Sequence, residues 1–447
     1  MITASTETVV DVAVPANVGK MHDDGKGRLR RWARRLFTFF VGQGLVQFLN
    51  LATGFLLIRW LSVNDYAVYS LVSGFQGTVG VLIELGLGGS IVALLAGRTE
   101  KHILGGYIRS TRHYRNKFFF YLLPAIAISF AILAVRQGLA WWMTAILLCS
   151  ILAAIYFESW TAYYSVPLMV HQDLQAYYRT PAIIGGIRLI ASFVLHMVSA
   201  LSAWLMALMN STAMIVQGWS YRQDARRHII EPTDADPAMN REVLQYIRPL
   251  IPGTVFFAIH GQITVFLISW FGQARDVAEV GALGRLGQLF LLLAAFNAVV
   301  IAPNIAKIPR SRLAWRYTSF LAGAIGVSLT LIVMSVWLPD VLLWIIGPKY
   351  LHLKTELMWT IAASCLGYVS SVMWTMHVAR KWTFAWGVRA YIIAVLIVEI
   401  CGITFMNLST AGGVIRLSAY SALATLAVLI AWAIHGFFFS GTESQHG

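Results

Sequence analysis

From Leu36 to Phe439 the chain is a succession of apolar runs, most of them reaching the roughly 20 residues that one membrane crossing requires, separated by short polar stretches. The pattern predicts twelve helices, over 36–58, 67–93, 118–136, 141–165, 181–200, 202–220, 249–271, 279–302, 317–337, 358–378, 387–406 and 414–436. The fold class expected is therefore all-α and integral to the membrane, a polytopic bundle of about twelve transmembrane helices. Within it only 221–248 is a long polar stretch, with Glu231-Pro-Thr-Asp-Ala-Asp-Pro237 as its turn-rich middle. It divides six helices from six. The first 35 residues read as a disordered tail ending in a basic juxtamembrane segment, Arg28-Leu-Arg-Arg-Trp-Ala-Arg-Arg35; the halves as 36–220 and 249–437, with 221–248 as linker; and 438–447 as a C-terminal tail.

Across the linker the halves echo each other. Arg59-Trp-Leu followed by Tyr66-Ala-Val-Tyr69 has a counterpart, about 210 residues on, in Ser269-Trp-Phe followed by Val280-Gly-Ala-Leu283. Six-helix halves related by an axis along the membrane normal are a common transporter plan, with the substrate site between them; a chance match of apolar strings is the alternative.

Composition agrees: of 447 residues 58% are hydrophobic and 12% charged, about half the charged share of a soluble domain. The net charge of +14 raises nucleic acid as a partner, but placement decides against it. If both termini are cytoplasmic, 25 of the 34 Lys and Arg lie in inside segments and six outside, the bias that fixes such an orientation. Anionic-lipid contact and topology control are the roles expected of the basic segment. A twin-Arg export signal at Arg34-Arg35 would need a small-residue cleavage site, and none follows. Cys149, Cys365 and Cys401 are odd in number and widely spaced within apolar runs, which supports neither a disulfide framework nor a metal site.

Ionisable groups inside a span cost at least about 2.5 to 3.5 kcal/mol, so each calls for a role or a partner. Gln43, Gln47, Asn50 and Gly54 fall on one face of the first helix. That stripe is either a cavity wall offering amides to sugar hydroxyls or amide glue between helices. Arg188 lies in the fifth helix about 10 Å from the inner edge, and Arg285 in the eighth among Gly281, Gly284 and Gly287. Guanidinium binds phosphate in a bidentate, charge-assisted way, so both are candidates to hold a pyrophosphate; snorkelling or a structural ion pair is the alternative. Glu84, Glu158 and Glu399 interrupt apolar helices, and Glu399 or Glu84 is the candidate for coupling to a proton or sodium gradient. Glu84 also has a simpler reading, a structural pair with an Arg. His260, with Gln262, adds polarity in the seventh helix, as a site residue or a packing histidine. His171 and Arg109-Ser-Thr-Arg-His113 lie in inside loops, where a headgroup could first dock or which could simply be solvated.

Several stretches carry a resemblance. Leu56-Leu-Ile-Arg-Trp-Leu-Ser-Val-Asn-Asp-Tyr-Ala-Val-Tyr-Ser-Leu71, Ile83-Glu-Leu-Gly-Leu-Gly88 and Trp337-Leu-Pro-Asp-Val-Leu-Leu-Trp-Ile-Ile-Gly-Pro-Lys-Tyr350 are similar to segments of the Wzx-type O-antigen and exopolysaccharide flippases. Those belong to the multidrug/oligosaccharidyl-lipid/polysaccharide (MOP) exporter superfamily, and the resemblance implies a MATE-like fold. Ser62-Val63 stands where Gly-Pro is common, and twelve helices rather than fourteen puts a peptidoglycan-precursor subtype in doubt. The resemblance implies a non-enzymatic, cofactor-free transporter of undecaprenyl-pyrophosphate-linked saccharide. It would work by alternating access in a bacterial cytoplasmic (inner) membrane, with other polysaccharide assembly proteins as partners. Two other classes compete: a small-molecule or drug exporter of the same superfamily, and an integral-membrane glycan polymerase. The second is poorly served, because the longest outer segment, 338–357, offers only Asp340 and Glu356 as acids.

Overall fold

A computed structural model describes residues 25–439 except 96–99, 172, 250, 288–289, 291–292, 294–296, 298–300, 302–303, 306–307, 381 and 383. The described residues are helical throughout, with no strand. In order the helices are α1 (Gly25–Trp60), α2 (Val63–Glu84), α3 (Leu87–Leu95), α4 (Lys101–Arg136), α5 (Trp141–Val170), α6 (Leu174–Met197), α7 (Ala203–Ala225), α8 (Pro237–Ile247), α9 (Ile251–Phe271) and α10 (Ala274–Gly287). After α10 come α11 (Arg310–Trp337), α12 (Pro339–Ile346), a 3-10 turn at Pro348–Tyr350, α13 (Lys354–Ala379), α14 (Ala385–Phe405) and α15 (Ala411–Phe439). The chain is a multi-pass membrane protein: ten of the described helices are long and apolar enough to cross a bilayer.

Two of the twelve expected spans are missing from those ten. The sixth, α7, carries Asn210, Ser211, Thr212 and Gln217 along its length; the eighth is described as a helix only to Gly287, and most of 288–300 lies outside the described residues.

Three expectations need correction. The basic segment Arg28–Arg35 is helical and continuous with the first span; the tail before Gly25 lies outside the described residues, as does the tail from Ser440. The linker is partly helical: Asp236 caps α8 by accepting from the Ala238 amide at 2.9 Å, and Pro237 opens the helix where its missing N–H costs nothing. The second span is broken. Leu85 (φ 45°) and Gly86 (φ 75°) enter the left-handed region between α2 and α3, where glycine is at ease and leucine is not.

The chain divides into two compact units, one of 25–60 with 72–259 and the other of 61–71 with 260–439. In the first, α6 runs parallel to α1 in constant register: Tyr178 lies against Gly42, Leu49 against Gly185, and His196 stacks on Trp60 with centroids 4.5 Å apart. The α5 and α7 backbones approach so closely that a Cβ on Gly218 would lie 2.4 Å from the Phe157 carbonyl, and Ser150 and Ser211 share a hydrogen bond of 2.6 Å between them. Small residues permit such approach where lipid gives no hydrophobic drive for helix association. The linker helix buries Val243 and Ile247 in a core with Leu104, Tyr107, Ile108, Tyr163 and Tyr164.

In the second unit α14 and α15 meet where Gly402 faces Leu417, and Gly387 and Gly436 receive the rings of Trp432 and Trp382. Tyr317 of α11 and His377 of α13 share a buried hydrogen bond of 3.0 Å beneath those indoles. At the opposite end Lys349 donates to the Leu61 carbonyl, just before α2, and burial pushes its ammonium pKa below the usual value.

The helix order repeats. α1 and α9 end, and α2 and α10 begin, about 210 residues apart. Ser62 accepts from the Asp65 amide at 3.0 Å to cap α2, and at the matching turn Asp276 accepts from the Gln273 amide at 3.0 Å.

Candidate functional site

Polar groups inside an apolar helix are tolerable when each finds a partner, so the partners define what each group can do. Three clusters emerge.

The first joins two residues the sequence nominated separately. His260 of α9 and Glu399 of α14 approach to 2.7 Å between Nδ1 and Oε1, both largely buried. The Tyr391 ring stands edge-on to the imidazole with centroids 6.4 Å apart, and its hydroxyl shares a hydrogen bond with Thr425 of α15. His260 lies near the middle of α9 and Glu399 about two turns from the end of α14. An imidazolium beside a carboxylate is neutral overall, as is an imidazole beside a carboxylic acid. Gain or loss of one proton therefore changes the charge of the site, which is the chemistry that coupling to a proton gradient needs.

The second cluster surrounds Arg285 of α10. The guanidinium hydrogen-bonds the Tyr66 and Tyr69 hydroxyls and sits 5.7 Å from the Tyr69 ring centroid, a cation–π distance. Tyr66 is wholly buried and its hydroxyl also donates to the Gly281 carbonyl at 3.3 Å. Gly281 has to be glycine here, since a Cβ would lie 2.3 Å from Ser70 Oγ. The Asp65-Tyr66 pair thus has a physical purpose: the Asp65 carboxylate accepts from the hydroxyl of the capping Ser62 at 2.6 Å, and Tyr66 anchors the first turn of α2 to α10.

The third cluster lies in the other unit. Gln76 of α2 shares a hydrogen bond with Glu158 of α5, and Asn210 of α7 donates to the Gln76 carbonyl oxygen at 3.4 Å. The Glu158 Oε2 lies 3.3 Å from where a Cβ on Gly80 would be, so its carboxylate faces α2.

Arg188 stands apart from these. Its Nε is buried without a hydrogen-bond partner, and its side chain forms no hydrogen bond or ion pair among the described residues. The constant register of α1 and α6 puts it within a turn of the level of Asn50. Along the α1 stripe Gln43 and Gln47 are half-buried, Asn50 is exposed and Gly54 is buried.

Glu84 is spent on structure. Its carboxylate accepts from the amides of Gly86 at 3.1 Å and Gly88 at 2.5 Å, holding the turn between α2 and α3 together. It thus has partners, but they are backbone amides rather than the Arg that sequence reasoning offered.

Sequence reasoning passed over Gln76, Asn210, Tyr66, Tyr69, Tyr391 and Thr425. Gln76 had a signal, as a lone amide in the apolar stretch Leu71–Leu82; the tyrosines had none, since their hydroxyls resemble ordinary interface chemistry. Arg115 also goes unremarked in the sequence, yet it is buried and donates to the Ile155 and Tyr156 carbonyls at 2.9 and 2.8 Å.

No protein-family model and no curated protein matches the sequence. Solved structures do. A lipid II flippase, MurJ, in an inward closed conformation superposes with a TM-score of 0.66 at 14% identity, over 89% of this chain and 88% of that one. An inward-facing multidrug resistance MATE family transporter of the MOP superfamily gives 0.55 at 12% identity, over 87% and 93%. A MOP superfamily transporter from Pyrococcus furiosus gives 0.52 at 12%, over 91% and 95%. At these identities the likeness is one of fold: the chain has the MATE-like fold that MOP superfamily proteins share.

Proposed function

We propose that the chain is a flippase that moves an undecaprenyl-pyrophosphate-linked oligosaccharide from the cytoplasmic to the outer leaflet of a bacterial cytoplasmic membrane, for polysaccharide biosynthesis, by alternating access. Both termini lie inside, in accord with the Lys and Arg bias. The observation that carries the reading is Arg188, a cation well inside a span with a buried nitrogen that nothing in the described chain satisfies. Such a group is expensive unless an anion arrives to meet it, and a pyrophosphate drawn along the membrane interior is an anion of the right geometry. In the other unit Arg285, steadied by Tyr66 and Tyr69, is a candidate of its own to hold a pyrophosphate. The half-buried amides of Gln43 and Gln47, with exposed Asn50, offer donors and acceptors to sugar hydroxyls.

Coupling falls to Glu399 with His260, because Glu84 is engaged by the α2–α3 turn. Protonation of the pair changes its charge, and a cycle follows when the two states of the protein hold that proton with different affinity.

The test is deletion of the gene followed by measurement of lipid-linked saccharides on each leaflet. Repeat units accumulating on the cytoplasmic face, with surface polysaccharide lost, is the result expected. Complete units waiting unpolymerised on the outer face would replace the reading with a polymerase, and unchanged lipid-linked glycan would replace it with small-molecule export.

A further inference from the structure

Helix α4 is longer than a bilayer is thick. Lys117 and Arg136 stand 19 residues apart on it, about 28 Å along the axis and close to the roughly 30 Å of hydrocarbon. The two turns before Lys117 therefore emerge on the Lys- and Arg-rich side. One face of the helix runs through both regions. Its apolar part carries Phe120, Tyr121, Ile128 and Val135, between 62% and 82% exposed and so turned to lipid. Its emergent part carries Arg109, His113 and Lys117, spaced by four so that they stack on that same face.

A cavity of about 460 Å³ opens where the two parts meet, lined by Arg109, Arg112, His113, Lys117, Phe120 and Tyr121. Its cations are set in place by the linker. Arg109 donates to the Thr233 carbonyl at 2.8 Å, and Arg112 pairs with Glu231 at 3.1 Å while bonding the Tyr164 hydroxyl at 2.8 Å. Lys117 lies over the Tyr114 ring at 5.8 Å and has no carboxylate partner among the described residues.

From this juxtaposition we infer that the emergent face of α4 is a binding site for an anionic phospholipid of the inner leaflet. The phosphate sits among Arg109, His113 and Lys117, and an acyl chain lies along Phe120, Tyr121 and Ile128. The occupant is an amphiphile because cation and lipid-facing surface are continuous on one helix face. It is anionic because no acid lines the cavity. Basic pockets beside membrane helices on the cytoplasmic side are suited to such headgroups. The site goes beyond the transport reading and stands without it.

The full chain in detergent micelles, titrated with phosphatidylglycerol, phosphatidylcholine or undecaprenyl pyrophosphate and followed by native mass spectrometry, tests the site. Phosphatidylglycerol should bind at least about tenfold more tightly than phosphatidylcholine. Lys117→Gln should weaken it about fivefold, and Lys117→Gln with Arg109→Gln on the order of twentyfold. Arg226→Gln, also in the cytoplasmic region but outside the cavity, should change nothing. Because Arg109 also tethers the linker, Lys117→Glu serves as a second variant that leaves that tether intact, and it should abolish the preference for phosphatidylglycerol. Equal phosphatidylglycerol affinity in wild type and Lys117→Glu would overturn the site. Binding of undecaprenyl pyrophosphate but not phosphatidylglycerol would overturn the phospholipid and make the cavity a landing place for cargo. Loss of lipid preference in Lys117→Glu with transport intact would separate the site from the transport function.

Discussion

Glu399 and His260 are 139 residues apart in sequence and 2.7 Å apart in space, so the ionisable groups were legible individually while their union was not. Glu399→Gln keeps a hydrogen-bonding partner for the imidazole and removes the titrating oxygen. Transport by that variant should lose its sensitivity to a collapsed proton gradient; undiminished sensitivity would exclude the carboxylate from coupling. Arg188→Ala removes a cation that has no partner among the described residues. It should leave the melting midpoint in place and lower transport roughly tenfold to a hundredfold, the worth of about one hydrogen bond to a charge. Wild-type flux in that variant would remove Arg188 from the pathway. The same reasoning separates Glu84 from Glu399, although both were read alike as acids in apolar runs. What the sequence could not show is that two amides across a broken turn already occupy the Glu84 oxygens.

At the scale of the element, apolar run length located the spans well, because crossing a bilayer is a length requirement before it is a packing one. It located breaks poorly. The Leu85–Gly86 turn is as apolar as the helices on either side, and only backbone geometry reveals it. Gly86→Ala should destabilise by about 1 kcal/mol or more, since alanine gains nothing in a left-handed position, and Glu84→Ala should cost about 1 to 3 kcal/mol by stranding two amides. Thermal unfolding in detergent reads both, and a neutral Glu84→Ala would deny the brace. Helix α8 escaped notice for a different reason: eleven residues are too few for periodicity to stand out from a polar linker. The close approach of α5 and α7 adds a sharper test. Gly218→Val would drive a branched side chain into the Phe157 carbonyl, and the loss should be about 1 to 3 kcal/mol or larger.

For the whole molecule, fold class was open to sequence because composition, run length and charge placement all point the same way. Cargo was not, since folds host many functions and specificity resides in a few side chains. Orientation makes a direct prediction. Asp234→Cys in the linker should react with a membrane-impermeant thiol reagent only after permeabilisation, and Ser409→Cys, between α14 and α15, in intact cells. The reverse pattern would invert the protein and with it the direction of transport. The discontinuous unit carries a consequence of its own. Tyr66 precedes Gly281, whose carbonyl its hydroxyl meets, by 215 residues. At the usual 5 to 20 residues per second, a ribosome needs roughly 10 to 40 s to cover that interval. Throughout it the nascent turn into α2 waits with its tyrosine hydroxyls unanswered by Arg285. Its maturation is timed by translation of α10 rather than by its own insertion.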